Sequence, residues 1–312
     1  MMTSKIINEL NKLEFEEINS LFLSDKKNNS AQDILYQSNL VVFQSSSIGH
    51  KRRLSLLKKI NKISLKYKQD FCVAHNLTIS IKVEKELGIH KNLIKNSHRA
   101  IDLWKNVLDQ PLAINGLIFS YTDLGLIFSD YNLNSLALKY LAKGESLLSE
   151  CENKYYPFIK LYVAYAVVQS NIKNINKSNF YYKKVIKEAE SKKDTLTLIP
   201  ILVNTSSDLL TNKKFKEAKK RLEKALRISK KNKEEIYRPY IYHSLGQVYL
   251  KVKDFLNSKK YLLKAHDSFN KMNSVKMTPQ VLFDIGNLYY FKKNYKESKK
   301  YLNDSLKVNK RF

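Results

Sequence analysis

Six histidines, two cysteines and 29 acidic side chains are the groups from which this 312-residue chain could assemble a reaction centre. Hydrolytic metal chemistry wants two His one turn apart on a helix with a Glu between them, and nucleophilic chemistry wants a Ser or Cys with a base in reach. His50, His75, His90, His98, His243 and His266 form no H-E-x-x-H, and the nearest pair, His90 and His98, is eight residues apart. That spacing puts two side chains on similar sides of a helix only if the helix runs unbroken between them. Glu16–Glu17 and Glu234–Glu235 are adjacent pairs, and neighbours on a helix point to different faces. Cys72 and Cys151 lack metal-type spacing and read as buried thiols of a reducing compartment. Without a G-x-x-x-x-G-K, G-x-G-x-x-G or G-x-S-x-G, the chain has no recognisable phosphate cradle or nucleophile elbow. The chain is therefore read as no enzyme, with no catalytic residue, metal or cofactor.

The charge balance raises a second kind of chemistry. Lys and Arg number 56, giving a formal charge of +27. Residues 1–100 carry 17 basic and 9 acidic side chains, residues 101–200 carry 12 and 10, and residues 201–312 carry 27 and 10. Only seven cations are Arg, the side chain that forks onto phosphate and reads guanine edges. Lys and Asn are abundant throughout, so the charge reads as a compositional bias, and nucleic acid is not the expected partner. The stripes KKFKEAKKRLEKALRISKKNK from Lys213 and KKNYKESKKYLNDSLKVNK from Lys292 read as solvated helix faces, with Lys219, Lys220, Lys259, Lys260, Lys299 and Lys300 on one outer side. Apolar residues, at 43%, suffice for a core and exclude a disordered or collagenous chain. Glu9 and Glu14 interrupt the apolar run that a secretory signal needs, and no stretch reaches the ~18 apolar residues of a membrane span. A cytoplasmic protein away from membranes is expected.

The elements that position these groups follow from an internal repeat. LGQVYLKVKDFLNSKKYLLKA from Leu245 and IGNLYYFKKNYKESKKYLNDS from Ile285 place Gly246 and Gly286, Tyr249 and Tyr289, Phe255 and Tyr295, Ser258 and Ser298, and Leu262 and Leu302 each 40 apart. One step back, SSDLLTNKKFKEAKKRLEKA keeps Ser206, Leu209, Phe215, Ala218, Leu222 and Ala225 in register. AYAVVQSNIKNINKSNFYYKKV is a weaker copy, and LGLIFSDYNLNSLALKYLAKG restores the pattern with Leu124, Gly125, Phe128, Ala137, Tyr140, Leu141 and Gly144. Pro157, Pro200, Pro239 and Pro279 recur at 43, 39 and 40 residues, each expected in the first turn of a helix. Each unit reads as two helices, with a Gly, Ala or Ser where they cross and a polar turn such as TNKK or KVKD between them. Upstream, IINELNKLEFEEINSLF, ILYQSNLVVF and LSLLKKINKISLKY have helical spacing, although LVVFQ fits a strand as well. Residues 70–108 read as a degenerate helical pair containing Leu93 and Ala100.

This skeleton resembles the tetratricopeptide repeat, whose L-G-x-x-Y, aromatic, A-x-x-x-F-x-x-A pattern runs through 239–266 and 279–305. It also matches 118–145 and 199–226, and 159–186 loosely. The period of 40 exceeds the usual value of roughly 34, and such long units are similar to those of bacterial peptide-responsive regulators of the Rap and PlcR type. The resemblance implies an all-α, right-handed superhelical solenoid of helical hairpins over 111–312, behind an amino-terminal helical region at 1–110. In Rap-like proteins that region acts on response regulators with help from a Gln, and Gln37 and Gln44 lie in the corresponding part. The helix-turn-helix start of the PlcR-like branch is missing from residues 1–65.

What the resemblance implies about activity is binding, with first helices lining a concave groove. In register, the groove positions are Thr122, Asp130, Ser170, Asn171, Asn204, Ser207, His243, Gln247, Asn287 and Tyr290. Asn171, Asn204, Ser207, His243, Gln247, Asn287 and Tyr290 are the expected peptide- or protein-binding set, because amides and hydroxyls both donate to and accept from peptide backbone. The Lys–Asn clamp of chaperone-binding members is not reproduced: Lys160, Lys251 and Asn287 fall in different repeats. The expected partner is a protein or peptide, with an acidic one favoured by the cationic last third. A peptide-sensing regulator of a transcription factor or response regulator is the alternative. Tyr301, Leu302 and Leu306 leave an apolar edge before Phe312, from which a homodimer through the carboxy-terminal repeat is expected.

Overall fold

The structure, a computed structural model, describes residues 2–13, 15, 30–45, 48–110, 112–272, 274 and 277–310. The Glu16–Glu17 pair and Phe312 lie outside them. The described residues form fifteen α-helices, two short 3-10 turns and no strand, so the fold is all-α and built of helical pairs. The chain divides into two compact units, residues 1–174 and 175–312. The boundary expected at 110/111 falls inside the first unit.

The first unit comprises α1 (Met2–Asn11), α2 (Ala31–Gln44), α3 (His50–Lys66), α4 (Asp70–Glu86), α5 (Leu93–Lys105), α6 (Ala113–Asp130), α7 (Asn134–Ser146) and α8 (Tyr155–Asn171). LVVFQ ends α2 as helix. Ser30 starts that helix with a capping box: its Oγ accepts from the Asp33 backbone N–H at 3.1 Å while the Asp33 carboxylate accepts from the Ser30 N–H at 3.3 Å. The 70–108 stretch forms the pair α4–α5, with Leu93 and Ala100 buried.

Much of this unit is organised by buried polar chains. The Trp104 indole N–H donates to Thr78 Oγ1 at 3.0 Å, and the Thr78 hydroxyl donates to the Ala74 carbonyl at 2.9 Å. The remaining Thr78 contact, 3.1 Å to Ser120, then has Ser120 as donor. Asn76 donates to the Asn39 amide oxygen at 2.6 Å and to the Leu57 carbonyl at 2.9 Å, which ties α2, α3 and α4 together. Leaving any one of these buried groups unpaired would cost about 1–3 kcal/mol.

The second unit comprises α9 (Ile175–Ser191), α10 (Thr195–Thr211), α11 (Phe215–Lys231), α12 (Arg238–Lys251), α13 (Phe255–Lys271), α14 (Met277–Phe291) and α15 (Tyr295–Lys310). Its helices end on a regular beat. Lys193, Lys213, Lys233, Lys253 and Lys293 stand in the left-handed region with φ of 54° to 61°. Around each, the chain closes with a bond that reaches back five residues, such as Lys214 N–H to Leu209 O at 2.8 Å and Asn294 N–H to Tyr289 O at 2.9 Å. The following helix can then be capped: Asp194 and Asp254 accept from the backbone N–H of Thr197 and Asn257 at 3.0 and 3.1 Å.

Both glycines of the second unit stand at helix crossings. A Cβ on Gly246 would lie 2.6 Å from Leu262 Cδ2, and one on Gly286 would lie 2.7 Å from Leu302 Cδ2. The same relation, sixteen residues apart, recurs in the first unit between Gly125 and Leu141 at 2.9 Å. Leu141 and Leu262 are fully buried against these crossings, each contributing about 2 kcal/mol by leaving water. Pro157, Pro239 and Pro279 sit in first turns as expected, whereas Pro200 lies inside α10 and withholds a donor from the carbonyl of Leu196.

Candidate functional site

The 40-residue period brings equivalent first-helix positions side by side in the second unit. α10, α12 and α14 line a cleft of about 680 Å³, and Ser207, Gln247 and Asn287, one from each helix at the same repeat position, stand on its wall. Thr211, Lys251 and Phe291 form a second such row one turn further on. Leu210, Phe215, Leu250 and Phe283 supply apolar lining, and Lys213, Lys251 and Lys253 supply three cations. Lys213 and Lys253 are the left-handed turn residues described above, so the turns that end α10 and α12 also border the cleft.

The one acid of the lining is Asp284, which the sequence reading missed. His243 Nε2–H donates to its Oδ2 at 2.7 Å, and Gln247 Nε2–H donates to the same oxygen at 2.8 Å. The tautomer follows from the partner, since an ionised carboxylate only accepts. With 8% and 15% of their side chains exposed, His243 and Asp284 form an interior pair that fixes the Gln247 amide. The signal in the sequence was register alone: Asp284 stands 40 residues after Ser244 and 41 after His243.

The other expected residues are placed differently. Asn204 is exposed on α10 one turn before Ser207, outside the cleft lining. Tyr290 is 57% exposed, with ring centroids 5.9 Å from Phe291 and 5.8 Å from Tyr295, and does not line the cleft. Asn171 belongs to the first unit, where its amide donates to Ser129 Oγ at 2.9 Å. Thr122 is buried and bonds its own helix at Ile118 O, and Asp130 pairs with Lys85. Gln37 and Gln44 are exposed on α2. The second-helix cations are partly engaged: Lys219 lies 5.1 Å over the Tyr249 ring and Lys259 lies 5.8 Å over Tyr289.

The groups considered for reaction chemistry are scattered. His90 precedes α5 and His98 lies within it, so no continuous helix joins them. Among the described residues, no three His, Cys, Asp or Glu side chains gather as a metal site. Burial, then the charge of Asp33, pushes the Cys72 thiol up to about 12, which leaves it an unreactive thiol bonded to the Gln32 carbonyl at 3.3 Å. Burial, then the charge of Lys82, lowers the His75 imidazole to about 3, so it stays neutral against the Tyr36 ring 4.6 Å away. No described helix is long and apolar enough to cross a membrane.

Residues 239–267 and 279–312, the α12–α13 and α14–α15 pairs, match the tetratricopeptide repeat family. No curated protein sequence matches the chain. Solved structures share its fold. A Rap protein complexed with Competence and Sporulation Factor superposes with a TM-score of 0.70 at 11% identity, covering 94% of this chain and 79% of that one. NprR in complex with its cognate peptide NprX gives 0.64 at 16% identity, covering 99% and 88%. The apo form of the quorum sensor NprR from B. thuringiensis gives 0.57 at 15% identity, covering 98% and 97%. The class is therefore an all-α helical-repeat protein whose last two helix pairs match the tetratricopeptide repeat and whose fold is similar to that of the Rap and NprR structures.

Proposed function

We propose that this protein is a non-catalytic peptide- or protein-binding module of the cytoplasm, and that the cleft between α10, α12 and α14 holds the ligand. The observation that carries the reading is the row Ser207, Gln247 and Asn287: three hydrogen-bonding side chains at repeating intervals beside apolar and cationic lining. Such a wall suits an extended chain, whose backbone presents donors and acceptors at regular intervals. Phe283 and Phe291, each more than half exposed, suit its apolar side chains. Lys213, Lys251 and Lys253 favour acidic ones, while the Asp284 charge is already engaged by His243 and Gln247. Asn204, one turn from Ser207, extends the wall for a longer ligand, and Tyr290 offers an aromatic contact beyond Phe291. Asn171, in the first unit, is a separate candidate contact for a partner and no part of this cleft.

A peptide-sensing regulator is the second reading, supported by the structural neighbour NprR, solved with its cognate peptide NprX, which this chain matches over 99% of its length. A homodimer through α14–α15 belongs to the proposal as well, since Tyr290, Phe291, Tyr295 and Leu306 are all exposed there. The test is fluorescence anisotropy with labelled peptides that alternate apolar and acidic residues. Replacing Gln247 and Asn287 together by Ala should weaken binding by tenfold or more, about the worth of two hydrogen bonds. Unchanged affinity would remove the cleft assignment, and no binding by any such peptide would remove the acidic-ligand reading.

A further inference from the structure

The first unit holds an unbalanced set of charges that the cleft of the second unit does not use. Asp123 of α6 is paired with Lys160 of α8, whose Nζ lies 2.7 Å from its carboxylate, and Lys82 of α4 approaches the same group at 3.9 Å. The two ammoniums share aromatic surroundings. Lys160 lies 4.8 Å and Lys82 lies 6.0 Å from the Phe119 ring centroid, and Lys82 is 5.6 Å from that of Phe43. The three side chains are only 14% to 32% exposed. Two acids on α6 and α7 are engaged elsewhere. Glu145 of α7 accepts from Tyr162 and Tyr165 at 2.6 and 2.8 Å, and Asp130 of α6 pairs with Lys85. Among the described residues, two cations therefore face one carboxylate in a partly desolvated place, where like charges repel more strongly than in water.

We propose that Lys82 and Lys160, bracketing Asp123 beside the Phe43 and Phe119 rings, bind the carboxylate of a ligand whose adjoining group is apolar. With both ammoniums charged, the excess of one positive charge matches a singly charged carboxylate better than a phosphate dianion. The phenyl rings offer surface to an apolar body next to it, as in an N-acylated leucine or the last residue of a peptide. The ligand carboxylate accepts hydrogen bonds from both Nζ groups, and its charge offsets the repulsion between them.

The electrostatics of Lys160 support this and supply a readout. Burial, and then the Lys82 charge, lower its pKa to about 7 against the opposing pull of Asp123. A bound carboxylate favours the ammonium, so binding takes up a proton, and affinity falls about tenfold per pH unit above that pKa.

The experiment uses the full chain labelled with ¹³C at lysine Cε and titrated with N-acetyl-leucine, N-acetyl-leucinamide, inorganic phosphate and a short peptide ending in leucine. The acid should shift the Lys82 and Lys160 signals and bind at least about tenfold more tightly than the amide or phosphate. Equal or tighter binding of the peptide points to a chain terminus as the natural source, and exclusion of the peptide points to a small molecule. Lys160→Met and Lys82→Met should each abolish the effect, and Lys213→Met, in the other unit, should leave it intact. If the acid and amide act alike, if affinity is the same at pH 6 and pH 8, or if Lys160→Met binds as the wild type does, the site is wrong. The acid-against-amide and pH comparisons need no variant, so a misfolded substitution leaves the proposal exposed to them. Loss of the second unit's peptide binding would not bear on it.

Discussion

The two units solve the problem of joining helices in different ways. In the second, one solution is copied. The Tyr249–Tyr261 and Tyr289–Tyr301 rings stack at the same 5.5 Å and 5°. Gly246 and Gly286 admit Leu262 and Leu302 in the same manner, and a left-handed Lys recurs at the helix ends. In the first, Gly125 and Leu141 keep that form but other crossings are individual: Trp104 packs into the place left by Gly116, and among the described residues the Asn39–Asn76 and Thr78–Ser120 contacts have no counterpart one period away. Copying produces aligned rows of side chains along one wall, which suits a ligand that itself repeats. Individual packing produces single sites, such as the charged cluster around Asp123.

That contrast can be broken experimentally, because Trp104 is the only tryptophan and its fluorescence reports the first unit while circular dichroism reports the whole chain. The largest effect is expected from Gly116→Ala. The added methyl meets the rigid indole, which cannot rotate away, and should destabilise the first unit by about 3 kcal/mol in urea titration followed by fluorescence.

Acid should come next. His75 has a folded pKa of about 3 against an ordinary 6.5, so the unfolded chain binds a proton that the folded chain refuses between those values. Stability present above pH 6.5 is therefore lost as pH falls towards 3, on the order of 2 kcal/mol where part of the ring still meets solvent. The same fluorescence titration in His75→Gln should show a flatter pH dependence.

Gly246→Ala should be milder than Gly116→Ala, near 1 kcal/mol, since the Leu262 side chain can shift and alanine favours the helix. It should move the dichroism transition and not the fluorescence one. Equal losses for the two glycine variants would erase the distinction between rigid, individual crossings and yielding, copied ones. The smallest change should be a gain: Lys233→Gly relieves an exposed left-handed residue away from the cleft and should stabilise the second unit by roughly 0.5–1 kcal/mol in thermal melts.

Where residues recur at fixed spacing, the structure was readable from the chain itself. The period locates the helix pairs, the glycine crossings and three of the cleft residues, because equivalent positions on adjacent, similar helices must come into line. The cleft's acid was not readable, since Asp284 gains its meaning from His243 and Gln247 on a neighbouring helix. The same holds for Asn204 and Tyr290, whose side chains keep the register and still fall outside the lining.

Sequence alone determined the all-α class, the two-helix unit and the apolar faces, since 3.6-residue periodicity and small residues at crossings are local properties of the chain. Tertiary structure alone decided where charges meet. Lys82, Asp123 and Lys160 are separated by 41 and 37 residues and share no motif. Their electrostatics depends on distance and burial, which exist only once three helices are packed together.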